Sequence, residues 1–286
     1  MKSRVSLFIC LFLASFSLEA QINIWEGTAC HKQVLLTPFL PEGEPRAAII
    51  ICPGGSYYWH DMQSEGSMVA EWLSSNGIAA YVLEYRVAGV ADFLSGYRRL
   101  FRGNRHPDMI RDLQRSIVIV RDRFSGPVGV MGFSAGGHLA LCSGEFFNTS
   151  FIEGQCPSDM SLRPDFIAAI YPVVSLSNEE IVHKRSRRGL LGENRVGDAV
   201  MRDSLSLEKH VCPSMPPVFL LNCVDDPVVD YRNSVVLDEA LSAAGVPVLY
   251  IQFENGGHGF GANPQKMTGE TATWQASFLD WLSPLL

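Results

Sequence analysis

Hydrophobic and polar positions follow two rhythms along this chain. Short, continuous apolar runs such as Ala47-Ala48-Ile49-Ile50-Ile51-Cys52 and Val218-Phe219-Leu220-Leu221 recur between longer segments whose apolar positions return every three or four residues. The first rhythm suits strands buried on both faces, and the second suits helices with one buried face. Strands are predicted near Ile22 and Val34, then over 46–52, 78–84, 127–132, 166–173, 217–224 and 247–253. Helices are predicted over about 64–76, 107–123, 135–147, 231–244 and 270–282, and Gly77 and Gly245 follow two of them as C-terminal stops. Strand and helix in alternation imply an α/β class with a mostly parallel sheet and helices on both faces. In such a sheet, groups at the carboxyl ends of the strands converge on one crevice.

The chain's most informative motif lies at one of those ends. Val128-Gly129-Val130-Met131-Gly132-Phe133-Ser134-Ala135-Gly136-Gly137-His138 places a serine between two glycines, directly after a predicted strand and before a predicted helix. That context makes it a nucleophile elbow, in which Gly132 and Gly136 admit a close strand and helix while Ser134 takes a strained backbone conformation. The amide of Ala135 then points into the space above the serine, where it could stabilise an oxyanion.

A serine hydroxyl is a weak nucleophile near neutral pH, so the chemistry requires a histidine base and a carboxylate that fixes the imidazole. Both follow in the expected order. The strand at 217–224 runs into Asp225-Asp226-Pro227, and the strand at 247–253 runs into Glu254-Asn255-Gly256-Gly257-His258-Gly259-Phe260-Gly261. His258, in a glycine-rich loop, is the base candidate among seven histidines, while His138 lies within the elbow helix and reads as structural. Asp226 is favoured over Asp225 because a turn with proline next would aim it back over the strand end, leaving Asp225 as a turn residue. A second oxyanion donor is expected from Pro53-Gly54-Gly55-Ser56-Tyr57 after the strand at 46–52, with the amides of Gly55 and Ser56 as donors. Tyr57, Tyr58 and Trp59 follow that loop. They either stack on a sugar face, which makes Tyr57 and Tyr58 the candidate substrate contacts, or pack beneath the rim.

Together these pieces resemble the α/β-hydrolase superfamily, and more closely its bacterial acetyl-xylan-esterase-like and feruloyl-esterase-like carbohydrate esterases. The resemblance rests on Pro53 to Tyr57, Glu65-Gly66, Glu84-Tyr85-Arg86-Val87, His106-Pro107 with Asp112, Gly132 to His138, Pro216 to Phe219, Asp225-Asp226 with Asn233-Ser234, and Gly256 to Gly261. It implies the α/β-hydrolase fold and hydrolysis of carboxylic esters, either O-acetyl or feruloyl, on plant-type polysaccharide. It also implies Ser134 as nucleophile, His258 as base, Asp226 as its orienting acid, and the amides of Gly55, Ser56 and Ala135 as the oxyanion hole. The rival readings are a serine peptidase of the prolyl-oligopeptidase type, a general carboxylesterase or lipase, and a non-catalytic glycan-binding module on a hydrolase fold.

Composition sets bounds on this reading. The 286 residues are 47% hydrophobic and 19% charged, which suits one α/β domain over 21–286. Residues 1–20 differ in kind. Lys2 and Arg4 precede an apolar run over 5–18, and Ala20 offers a cleavage point, so the segment reads as a signal peptide for export to the periplasm or beyond, too short for a membrane anchor. Without it the net charge moves from −7 to −8, which argues against a nucleic-acid partner. Six cysteines remain; Cys52 and Cys223 fall in strand runs, and a Cys142–Cys156 pairing stays open. No spacing suggests a metal site, and the proposed chemistry needs no cofactor.

Two stretches, 88–105 and 175–210, stand outside the strand and helix pattern as candidate rim insertions. Each is basic, with Arg98, Arg99, Arg102 and Arg105 in the first and Lys184, Arg185, Arg187 and Arg188 in the second. They either form a solvated loop surface or grip carboxylates of an acidic polysaccharide by bidentate pairing.

Overall fold

The computed structural model describes residues 20–30, 32–94, 103–152 and 159–286. The expected signal peptide therefore lies almost wholly outside the described residues, as do Arg98, Arg99, Arg102 and Cys156. Cys142 is a buried free thiol. Among the described residues, eight strands form one sheet: β1 (Ile22–Asn23), β2 (Leu35–Phe39), β3 (Ala48–Cys52), β4 (Ala79–Leu83), β5 (Val128–Phe133), β6 (Ile167–Ile170), β7 (Val218–Cys223) and β8 (Val248–Phe253). Their spatial order is β1-β2-β4-β3-β5-β6-β7-β8. The first two pairings are antiparallel and every later one is parallel.

The apolar runs have the burial that their pattern implies. Alternate residues of β3 feed two different cores: Ala48, Ile50 and Cys52 join one, while Ile49 and Ile51 join the other. A run without polar interruption is thus required, because both faces of the strand are covered. The longer helices, α1 (Met68–Ser75), α3 (Asp108–Arg123), α4 (Ala135–Glu145), α7 (Arg232–Ala243) and α8 (Trp274–Leu282), match the predicted segments apart from their ends. The helix predicted from residue 64 instead opens with one wide π turn at Gln63–Ser67, and Glu65 within that turn is buried.

Among the described residues, three further helices depart from the reading of 88–105 and 175–210 as plain insertions: α2 (Val90–Leu94), α5 (Lys184–Leu191) and α6 (Ala199–Ser204). In α5, Arg187 takes a position that the periodicity reserves for an apolar residue. It is buried because its guanidinium donates to Glu179, at 2.6 Å, and to the Leu176 carbonyl. An ion pair replaces an apolar contact, so hydrophobic periodicity does not register the helix.

The parallel strands direct five loops to one edge of the sheet. Pro53 to Tyr57 follow β3, Ser134 follows β5, Tyr171 follows β6, Asp225 and Asp226 follow β7, and His258 lies in the loop after β8.

Candidate active site

Ser134 sits at φ 54° and ψ −118°, a region that L-residues rarely adopt, between β5 and α4. The flanking glycines make that turn possible. A Cβ on Gly132 would land on the carbonyl of Gly136, and one on Gly136 would land on the carbonyl of Cys52 in β3. The Ser134 amide donates to the Ile170 carbonyl of β6, which ties the strained residue to its neighbouring strand.

His258 faces this serine. Its Nε2 lies 2.9 Å from Ser134 Oγ, and its Nδ1 lies 2.6 Å from Asp226 Oδ2. A carboxylate only accepts, so Nδ1 carries the proton and Nε2 is left to accept from the serine hydroxyl. The Asp226 side chain is 1% exposed, and its other oxygen accepts the amides of Val228 and Val229. Three bonds therefore hold it as an acceptor oriented toward the imidazole. Asp225 points elsewhere and accepts the amides of Gly256 and Gly257, holding the loop that carries His258. The two neighbouring carboxylates thus divide the work: one meets the histidine and the other meets the histidine's loop. A hydroxyl, an imidazole and a buried carboxylate in this chain can move a proton off the hydroxyl and keep the resulting charge on the imidazolium.

The loop after β3 bends sharply toward the serine. Gly55, Ser56 and Tyr57 have consecutive φ values of 138°, 57° and 62°, and the carbonyl of Gly55 accepts the amides of Tyr58 and Trp59. The amides of Gly55, Ser56 and Ala135 donate to none of the described residues, which leaves three donors available for a developing oxyanion. Tyr85 supports the loop from beneath, its hydroxyl donating to the Pro53 carbonyl at 2.6 Å. Arg86, next in the same motif, pairs with buried Asp112 at 2.8 Å.

Glu65 is a buried group here to which the sequence reading assigned no role. Its Oε2 accepts the Gly54 amide at 2.7 Å, and its Oε1 accepts the Tyr171 hydroxyl at 2.9 Å. Tyr171 in turn accepts the Gly261 amide and lays its ring 4.6 Å from that of His258. One carboxylate therefore links the oxyanion loop, the end of β6 and the histidine loop. Burial raises its pKa, opposed by the charge of His258 and the bonds from Tyr171 and Gly54. The sequence does carry a signal, an acidic residue beside Gly66 at the start of an apolar helix, but its partners lie 106 and 11 residues away along the chain.

Tyr57 and Tyr58 correct the expectation of sugar stacking. Both are buried, at 0% and 1% exposure, with no ring face left for a substrate. The positive φ at Tyr57 turns its side chain inward, where its hydroxyl meets His138 Nδ1 at 2.8 Å. The alternative packing beneath the rim is the one adopted. His138 is structural as expected: fully buried, it meets the Leu205 carbonyl through Nε2, and burial lowers its pKa to about 4. Trp59 alone of that aromatic trio keeps part of its surface accessible. Among the described basic residues, Arg105 pairs with Asp92, Arg187 with Glu179 and Arg188 with Glu193. Arg185 instead donates from Nε to Ser56 Oγ at 3.0 Å.

Among the described residues no helix is long and apolar enough to cross a membrane, and no group of three or more His, Cys, Asp or Glu is placed to hold a metal ion.

Comparison with known proteins gives this arrangement a context. The BD-FAE family matches residues 38–241. The chain is 31% identical over 231 residues to an acetylxylan esterase of Xylanibacter ruminicola, covering 78% of this chain and 43% of that protein. It is 28% identical over 220 residues to endo-1,4-beta-xylanase B of Butyrivibrio fibrisolvens, covering 75% of this chain and 32% of that protein. The chain thus spans less than half the length of these two curated relatives. A crystal structure of an acetyl ester-xyloside bifunctional hydrolase from Caldicellulosiruptor lactoaceticus superposes with a TM-score of 0.79 at 31% identity, over 95% of this chain and 98% of that one. The family match spans the loops that carry Ser134 and Asp226, and the chain belongs to the BD-FAE family, with the α/β-hydrolase fold of carboxylic ester hydrolases.

Proposed function

We propose that this chain is a serine esterase that releases O-acetyl groups, with feruloyl groups as the second acyl candidate, from xylan-type glycans. The reading rests on one observation above the others: Ser134 Oγ, His258 and buried Asp226 form an unbroken hydrogen-bonded series at 2.9 and 2.6 Å on a strained elbow. The names of relatives acting on acetylated xylan support the substrate class.

In the first step Ser134 Oγ attacks the ester carbonyl while its proton passes to His258 Nε2. The carbonyl oxygen becomes an oxyanion facing the amides of Gly55, Ser56 and Ala135, and Asp226 stabilises the imidazolium. Collapse expels the sugar alkoxide, which takes the proton from Nε2 and leaves an acyl-serine. A water then gives a proton to the neutral His258 and attacks the acyl carbon, and collapse of the second oxyanion returns the proton to Ser134 and frees the carboxylic acid. Export across the inner membrane, read from residues 1–20, belongs to the same proposal and is checked by the N-terminal sequence of the mature protein.

The test is acetate release from acetylated xylo-oligosaccharides by the wild type and by Ser134→Ala. The variant is expected to fold normally and to lose roughly 10³–10⁶-fold in turnover. Normal esterase activity in Ser134→Ala overturns the proposal. Faster cleavage of a peptide amide than of the matching ester favours the peptidase reading, and failure of a fluorophosphonate to label the wild type favours the binding module.

A further inference from the structure

Helix α5 rests directly on the oxyanion loop. Gly189 permits this contact, since a Cβ there would meet the Ser56 carbonyl and lie 3.0 Å from Tyr57 Cβ. One turn earlier, Arg185 reaches over the same loop. Its Nε donates to Ser56 Oγ at 3.0 Å, and its guanidinium carbon lies 5.6 Å from the centre of the Trp59 ring. The indole and the bond through Nε hold the guanidinium in place, and neither terminal nitrogen has a hydrogen-bond partner among the described residues. Among the described residues no carboxylate pairs with Arg185, whereas Arg105, Arg187, Arg188 and Arg202 all have acidic partners. His183, two residues before Arg185, is close enough to His258, Asp226 and Arg185 to feel the charge of all three, which places this end of α5 beside the reacting groups.

An immobilised, half-buried guanidinium with two unused donor groups, beside an ester-cleaving serine, is suited to a planar bidentate anion. We propose that Arg185 binds the carboxylate of a uronic acid in the esterified glycan, so that the preferred substrates are acetylated acidic oligosaccharides. This rests on the esterase reading above and narrows its substrate class. Two glycans offer that chemistry, a xylan bearing glucuronic acid side groups and a galacturonate chain, and both present an equatorial-plane carboxylate within a sugar residue or so of a hydroxyl that can carry acetate.

The experiment compares kcat/KM on matched pairs of acetylated oligosaccharides, each uronate and its counterpart with the carboxyl reduced to an alcohol, in both the glucuronoxylan and the galacturonate series. The wild type is expected to prefer the acid in at least one series by roughly 10–100-fold, with the preference shrinking as salt rises. Arg185→Met, which keeps a stem over Trp59, is expected to lose most of that preference, and Arg185→Lys to retain a part of it. Absence of preference in both series overturns the proposal. So does an equal loss on acid and reduced substrates in Arg185→Met, which makes Arg185 a support of the oxyanion loop. Calorimetric binding of the same pairs to Ser134→Ala separates the two levels: tighter binding of the uronate supports the site even if the wild type releases no acetate, and equal binding refutes it.

Discussion

The strand ends and the rim of this protein meet at Ser56, yet they are built on opposite terms. At the strand ends, the carboxylates of Asp226 and Glu65 are each bonded from two sides, and the backbone at Ser134 is held in a strained conformation by its neighbours. Ser134 is pinned between β6 and α4, Asp226 is bonded three times, and Glu65 spans two loops. On the rim, α5 is a helix rich in arginine that anchors itself through Leu190 and Leu191 and through the ion pairs of Arg187 and Arg188, and Arg185 keeps two donor groups free of described partners. A tightly bonded network holds the reacting atoms in place, which acyl transfer requires. An unsaturated cation on a supporting helix selects among substrates without altering that chemistry. In the proposed reading, the sheet holds the reaction and the insertion faces the glycan.

The largest test of this division after loss of Ser134 is between the adjacent carboxylates. Asp226→Asn leaves the shape of the site intact but favours the wrong imidazole tautomer, and is expected to lower kcat by about 10⁴-fold. Asp225→Asn keeps an oxygen for one of the amides of Gly256 and Gly257, loses the bond to the other, and is expected to cost less than about tenfold. Steady-state kinetics on a small acetyl ester checks both, and equal losses would erase the distinction between orienting the histidine and holding its loop.

Glu65→Gln sharpens the comparison at the next level. It removes the charge from the group that joins Gly54 to Tyr171, and is expected to lower kcat by roughly 10–100-fold with little change in KM, because the oxyanion loop matters most in the transition state. Unchanged kcat, in a variant whose melting temperature has fallen, would make Glu65 a stabilising residue only.

The smallest effect concerns the scaffold. Burial lowers the pKa of His138 from its ordinary 6.5 to about 4, so the unfolded chain takes up this proton below pH 6.5 while the folded protein takes it up only near 4. Its contribution is therefore complete above pH 6.5 and declines as the pH falls through that window. Relative to His138→Gln, the wild type is expected to lose roughly 1 kcal/mol of stability between pH 6 and 5, read by urea denaturation. The raised carboxylates of Glu65 and Glu145 act in the opposite direction and cancel in the difference. A pH-independent difference would show that His138 is not held neutral.

Much of the molecule was legible from its chain. The strands were readable because a sheet covered on both faces demands unbroken apolar runs, and Ser134 because glycines at positions 132 and 136 have a steric cause close at hand. His258 and Asp226 were readable because a parallel sheet sends strand ends to one side. Other features were not local. The burial of Tyr57 and Tyr58 depends on a run of left-handed residues that neither side chain announces. The role of Glu65 depends on groups supplied by β6 and two loops, and helix α5 was hidden by a buried arginine standing where periodicity expects an apolar residue.

By itself, then, the sequence determined the alternation of strands and helices, the strained serine, and the order in which acid and base follow it. These are set by steric and hydrophobic demands that act between near neighbours or repeat with a fixed period. Only the tertiary structure decided which aromatic rings are buried, that the aspartate beside Asp226 holds the histidine's loop, and which arginine is left without a carboxylate partner among the described residues. Those outcomes depend on distances between residues 32 to 129 positions apart, and a hydrogen bond across such a span is selected by packing rather than by spacing along the chain.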